Sequence, residues 1–450
     1  MSIFELEKPD MSEAGWSWFK NQEDDIQKQM VGLYGKANYP KYLYWDKIKH
    51  FDFPDKIRPI DFWVFTRRMR KTVHSPKTSL VKSENSTYFS WIMLEKYHYW
   101  ISEFDKVLAG SFSSLQQSDD YKNRIIKVKW VMEESIASAQ LEGAHTTRDA
   151  AKKMLQEDRK PKNNSEQMII NNYKTMLAIE NEFNSIKLDR SALFQMHEML
   201  VKDTDIKEGD LGRFRTDADK VMVMDTSDGT IYHIPPKESF LQAEIDRLLA
   251  YANDEIIDPE YVHPIIKAII IHFWIGYLHP FVDGNGRLAR ALFYWYLIKQ
   301  GYWGISLLPL SVMIKKSPKQ YGMAYVYSEQ DDNDLTYFID YNMRKLKQAK
   351  EFLDSHIERQ RQDENALAGI QDKFNNRQTK LIIHLAKNPN SHTTIKTHST
   401  IYQISRITAK KDLANLQETG YLRSNKIGRE VRYYPTDKLK QASTKNSITL

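Results

Sequence analysis

Two apolar stretches, residues 262–278 and 288–298, flank a short polar turn that reads His279-Pro280-Phe281-Val282-Asp283-Gly284-Asn285-Gly286-Arg287, with Arg290 one turn further on. Stretches this apolar on every side belong in the middle of a helical body, so the turn joins two buried helices. Two glycines let backbone N–H groups face inward as an anion nest, and the start of the second helix adds the positive end of its dipole. Around that nest Asp283 can hold Mg²⁺, Asn285 can fix an oxygen, and Arg287 and Arg290 can neutralise phosphate charge. His279 lies at the mouth, placed to take a proton from an incoming hydroxyl. Singly, each residue has an ordinary explanation: a histidine beside proline is usually structural, Gly-Asn-Gly is usually a turn, and helix arginines usually face solvent. Together they describe a loop built to hold phosphates.

The rest of the 450 residues narrows the chemistry. There is no cysteine, which excludes disulfides, thiolate metal sites and thiol nucleophiles, and points to a reducing, cytoplasmic setting. The longest apolar run inside a helix pattern, residues 268–278, contains His272 and falls short of the roughly 18–20 residues needed to span a bilayer. The chain opens with Glu5, Glu7, Lys8, Asp10 and Glu13, without the basic-then-apolar order of a secretory signal. No membrane partner is expected.

Four segments follow along the chain. Residues 1–117 are rich in Trp, Tyr and Phe with polar breaks at 75–85 and 110–120, and read as an aromatic helical leader. Residues 121–343 show apolar residues at helical spacing, such as Ile125, Val128, Val131, Met132 and Ile136. Within them, residues 221–236 carry Asp228-Gly229 between Val221-Met222-Val223 and Ile231-Tyr232-His233-Ile234, which predicts a two-residue β-hairpin. Residues 344–371 read as a charged connecting helix, and residues 372–450 as a terminal module.

The string from His279 to Arg290 matches the Fic family signature HPFxDGNGRxxR without a gap, and residues 121–343 resemble a Fic domain. The resemblance implies a mainly α fold: a Fic helical core with a β-hairpin flap. It implies transfer of AMP from Mg-ATP to a Ser, Thr or Tyr hydroxyl of a target protein. His279 would be the general base, Asp283 the Mg²⁺ ligand, and Gly284, Asn285, Gly286 and Arg287 the phosphate cradle. Arg290 would hold the γ-phosphate and Tyr321 would lie near the adenine. Tyr232, His233, Ile234 and Pro235 resemble the family flap, whose exposed edge pairs with a target segment, and Gly212-Arg213-Phe214-Arg215 resembles the element that precedes it. Two positions depart from the pattern: Gly276, where the family often has a glutamate support, and Gly322, where a second aromatic near the base is common.

Ser138, Glu142 and Gly143, at the end of the amphipathic stretch 121–143, resemble the family's inhibitory helix. Lying before the core in the same chain, it implies the N-terminally self-inhibited class, with Glu142 paired to Arg290 where the γ-phosphate would go. The same carboxylate can also orient a water for AMP removal, and the sequence leaves both roles open. Relatives of this class associate through helical faces, so a homodimer is also implied.

The terminal module is basic, with eleven Lys and Arg against three Asp and Glu between residues 377 and 435. Its helix, helix, helix, hairpin order resembles a winged helix-turn-helix. Ser405 reads as the N-cap of the third helix; Ile407, Leu413 and Leu416 are expected to face its core, with Arg406, Lys410 and Lys411 outward. Arg429 on the wing would join them on DNA, although winged helices also serve as protein contacts. The alternative to a transferase is a nucleotide-sensing, DNA-binding transcriptional regulator with a weakly active Fic core.

Overall fold

The computed structural model describes residues 2–10, 19, 22–225, 228–256, 258, 260–366, 373–428 and 430–439, apart from 111–119. Arg429 therefore lies outside the described residues. Helices α1 (Asp24–Asn38), α2 (Trp45–Ile48) and α3 (Pro59–Val73) are followed by a hairpin, β1 (Lys77–Lys82) and β2 (Tyr88–Trp91), then α4 (Glu95–Asp105). The leader is thus not wholly helical. The polar break at 75–85 hides a strand in which Ser79 and Val81 alternate inward, the period of a half-buried strand rather than of a loop.

The middle of the chain is α5 (Asp120–Leu141), α6 (Arg148–Gln156), α7 (Asn164–Asn181), α8 (Arg190–Val201), the hairpin β3 (Val223–Met224) and β4 (Ile231–His233), then α9 (Glu238–Ala252), α10 (Pro264–Leu278), α11 (Asn285–Lys299), α12 (Leu310–Lys315), α13 (Pro318–Gln330) and α14 (Thr336–Ala366). Pro264 at the first turn of α10 suits a position whose N–H needs no partner, and the His263 ring caps the Ile265 N–H. Thirteen of the fifteen α10 side chains are buried, Lys267 and His272 among them, as a helix apolar nearly all round requires. One apolar core runs from Leu6 to Leu353, so leader and middle segment share it. The division at 343 and 344 falls inside α14, a single helix of 31 residues, because the change from apolar to charged composition marks where the helix leaves the core and not where it ends.

The β3–β4 hairpin is shorter than the sequence suggests. Val223 pairs with His233 and Met224 with Ile231. Asp228-Gly229 sits in a wider loop closed by Asp225 N–H to Thr230 O at 2.9 Å and Gly229 N–H to Asp225 O at 2.8 Å.

Residues 374–439 have a core of their own, with α15 (Asn376–Lys387), α16 (Ile395–Tyr402), α17 (Arg406–Glu418) and the hairpin β5 (Leu422–Ile427) and β6 (Glu430–Pro435). Ser405 caps α17 by accepting the Thr408 N–H at 3.1 Å, and Leu413 and Leu416 are buried. Ile407 is 71% exposed instead of facing the core. Being second in the helix it points away, and Ala409 takes the inward position. Helix α16 packs against α5 and α6. Among the described residues no helix is long and apolar enough to cross a membrane.

Candidate active site

Helix α10 ends at His279, which adopts a left-handed backbone (φ 45°). A non-glycine residue pays for that conformation with strain, and Arg215 holds it there. The Arg215 guanidinium donates to His279 O at 2.7 Å, Leu278 O at 3.1 Å and Pro236 O at 2.6 Å, and the Arg215 N–H donates to Pro280 O at 2.9 Å. One arginine therefore ties the His279 turn to the base of the flap. The sequence flagged Gly212-Arg213-Phe214-Arg215 only as an element before the flap; the signal for this role was an arginine beside a histidine-proline turn far along the chain.

The His279 Nδ1 lies 3.2 Å from Gly276 O. A carbonyl only accepts, so Nδ1 carries the proton and Nε2 keeps its lone pair. Burial pushes this imidazole down to about 4, helped by the neighbouring His233, so it is neutral at ordinary pH. His233 on β4 sits between two acceptors, Glu329 Oε2 at 2.8 Å and Tyr277 O at 2.8 Å. Burial opposes its charge, yet Glu329 leaves its pKa raised. The sequence placed His233 on the flap but gave no sign of Glu329 opposite it.

The turn after His279 is held from inside. Asn285 accepts the Phe281 N–H at 2.9 Å and donates to Phe281 O at 2.8 Å. Each end of its side chain is thereby engaged once with the loop, which leaves one amide N–H over. Arg287 is likewise buried, donating to Leu200 O at 2.9 Å and Asp283 Oδ2 at 2.8 Å, and its Nε has no partner. His197 stacks on Phe281 with centroids 3.6 Å apart and donates to Asp283 O at 2.8 Å. Gly284 caps the start of α11, with Gly286 in its first turn and Arg290 one turn further on. Gly284 has φ +85° and a Cβ there would meet Val201 at 2.7 Å; a Cβ on Gly286 would lie 2.2 Å from Glu142 Oε1.

Arg290, 2% exposed, donates to Ser138 Oγ at 2.9 Å, Ser138 O at 3.1 Å and Glu142 Oε1 at 2.9 Å. Burial works against its charge, and Glu142 more than compensates, raising its pKa. Its Nη1 is buried without a partner. Glu142 is the residue on which α5 ends: Ala144 N–H reaches Ala139 O at 3.1 Å and Gly143 N–H reaches Gln140 O at 3.3 Å, with Gly143 at φ +92°. That is a Schellman end, which glycine makes at little cost. Ser138, Glu142, Gly143, Gly286 and Arg290 are thus brought together.

Asp283 is about half exposed, with side-chain exposure of 54%. Among the described residues no three His, Asp or Glu side chains gather as a metal cage. A hard cation here would rest on Asp283 plus ligand oxygens, which suits Mg²⁺, since it is commonly held by one or two carboxylates and substrate phosphates. Tyr321 turns its hydroxyl inward, 2.8 Å from His272 Nε2. The two departures have local reasons: the space beside Gly276 is filled by the Tyr325 hydroxyl, 2.2 Å from where a Cβ would be, and the Cβ position of Gly322 is open. On the flap Ile234 is exposed and Pro235 buried. Arg406, Lys410 and Lys411 are exposed on α17, remote in sequence from this site.

Residues 187–297 match the Fic/DOC family model. The chain is 39% identical over 72 residues to the protein adenylyltransferase Fic of Nematostella vectensis, covering 16% of each chain. It is 31% identical over 107 residues to the protein of that name from Drosophila erecta, covering 24% of this chain and 20% of the relative. The aligned segments span a fifth or less of these curated relatives. A solved Fic family protein from Desulfovibrio desulfuricans aligns over 76% of this chain and 97% of its own, at 17% identity and a TM-score of 0.47.

Proposed function

We propose that the Fic domain at residues 187–297 makes this chain a protein adenylyltransferase, restrained by its own Glu142. The observation that carries the reading is the state of His279: a neutral imidazole with its Nδ1 proton committed to Gly276 O, and hence an available Nε2 beside a glycine turn at a helix start.

In the reaction, His279 Nε2 takes the proton of a target Ser, Thr or Tyr hydroxyl as that oxygen bonds to the α-phosphorus of ATP. The bond from the α-phosphorus to the bridging oxygen breaks, and pyrophosphate leaves. The Gly284 and Gly286 N–H groups and the start of α11 stabilise the triphosphate charge. Mg²⁺, where bound, neutralises charge on phosphate oxygens, and Asp283, aimed by Arg287 and His197, is the residue that would hold it. Arg290 is the cation for the γ-phosphate. In the observed arrangement Glu142 occupies it, so ATP meets a carboxylate where its last phosphate belongs. The same carboxylate, if it turned to orient a water, would give AMP removal as a second direction for one site.

The terminal module supports an added reading, a winged helix that binds DNA. What favours it is α17, capped by Ser405 and carrying exposed Arg406, Lys410 and Lys411. A chain that only senses nucleotide and binds DNA would not need His279. The test is labelling with ATP tagged on its α-phosphate, read on a denaturing gel, for wild type, Glu142→Gly, and Glu142→Gly with His279→Ala. Label in the single variant that vanishes in the double variant is the expected result. No label in either, with ATP still bound, would refute the transferase.

A further inference from the structure

The flap edge that should await a target segment is already paired. Ile231 on β4 forms a parallel bridge with Ile3. The Ile231 N–H donates to Ser2 O at 3.0 Å, and Ile231 O accepts the Phe4 N–H at 2.8 Å. The Phe4 ring lies on Tyr232, the next flap residue, with centroids 5.2 Å apart. An extended segment is thereby bridged to the hairpin at β4, in the manner by which a sheet edge takes an extended peptide.

The strand is held at one end and lightly laid down at the other. Leu6 is buried in the main core. Its N–H donates to Gln330 Oε1 at 2.7 Å, while Gln330 Nε2 donates to Phe4 O at 2.9 Å. Tyr44 and Trp45 both bond to Glu7. By contrast Ile3 is 57% exposed, and two main-chain hydrogen bonds and one ring contact fasten residues 2–4 to the flap. A segment tethered this way meets the flap at high effective concentration, yet can lift off without disturbing Leu6. The strand it covers leads to His233, whose Nε2 reaches Tyr277 O two residues before His279.

We propose that residues 2–4 are a built-in occupant of the flap edge, a second restraint separate from Glu142, which a target must displace. The inference rests on the reading that the flap edge receives the target. The occupant also defines the chemistry of what displaces it: an extended segment running parallel to β4, offering a main-chain carbonyl and N–H two residues apart and an aromatic or apolar side chain over Tyr232.

The test uses the full chain without nucleotide, so it stays decisive even if AMP transfer fails. Amide exchange is followed at Ile231, and a fluorescent peptide copying residues 2–8 is titrated into wild type, Gln330→Ala and Phe4→Pro. In wild type the Ile231 amide is protected. In both variants it exchanges at least tenfold faster, and the peptide binds at least tenfold more tightly. Gln330→Ala removes only the two tethering bonds, so it carries the test if Phe4→Pro disturbs the core, which protection at Ile271 reports. An Ile231 amide that exchanges equally in wild type and Gln330→Ala, or equal peptide binding by the two, overturns the proposal.

Discussion

Replacing Glu142 by glycine asks what the ion pair with Arg290 is worth. Arg290 is 2% exposed and Glu142 28% exposed, 2.9 Å apart. A hydrogen bond to a charged group contributes about 1.5–3 kcal/mol. For the γ-phosphate to reach Arg290, this bond must first be given up and a second anion brought beside the carboxylate. A like-charge contact near 4 Å costs up to about 4 kcal/mol at an effective dielectric of about 20, less here because Glu142 is partly solvated. Removing the carboxylate should therefore relieve about 2–3 kcal/mol, or about 30- to 150-fold in the rate of AMP transfer. The loss of stability is smaller, about 1–2 kcal/mol, since Ser138 still gives Arg290 two acceptors. The assay is the initial rate of label incorporation at saturating ATP, with a thermal melt of both proteins. Glu142→Gln, which keeps the size and loses the charge, should fall between. A Glu142→Gly rate within twofold of wild type, in a protein that binds ATP and melts normally, would refute the reasoning.

Other expectations follow from the same geometry. With His279 held near 4, the base is unprotonated throughout pH 5–8. Transfer by Glu142→Gly should then be flat in that window and fall only as pH drops toward 4, whereas an ordinary histidine at about 6.5 would cost about thirtyfold by pH 5. His233→Gln removes a nearby cation and should move the acid limb upward, as a pH–rate profile will show. Arg215→Ala leaves three carbonyls around His279 without their donor. It should slow transfer at least tenfold at unchanged ATP affinity and destabilise the chain by about 1–3 kcal/mol, read as a split between kcat and KM and as a lower Tm. Lys410→Ala with Lys411→Ala in the full chain should weaken duplex DNA binding and flatten its salt dependence by about two in log–log slope. Unchanged slope would count against α17 as the DNA-facing helix.

The helical core and the turn at its mouth were readable because they are local: an apolar helix, a glycine turn and a second apolar helix are contiguous from Pro264 to Lys299. The meeting of Glu142 and Arg290, 148 residues apart, was accessible only through family resemblance, since no local pattern aims α5 at α11. The bracing contacts of Arg287 were hidden for the same reason: they depend on carbonyls such as Leu200 O, supplied by a distant helix. Strand β1 was missed because its two lysines and its polar flanks mask a two-residue alternation. Ile407 was assigned inward by hydrophobicity alone, although its place in the first turn of α17 turns it out.

The Schellman end of α5 makes the position of Glu142 a matter of counting. Each residue turns an α-helix by about 100° and advances it about 1.5 Å. Trp130 is fixed midway along α5 against Phe352 and His356 of α14, so the number of residues from there to Gly143 decides where the carboxylate points. Deleting one residue in between would swing it more than a quarter-turn away from Arg290 while leaving every side chain of the restraint intact. Such a protein would carry the right residues at the wrong phase, and its activity would be governed by helix length rather than by composition.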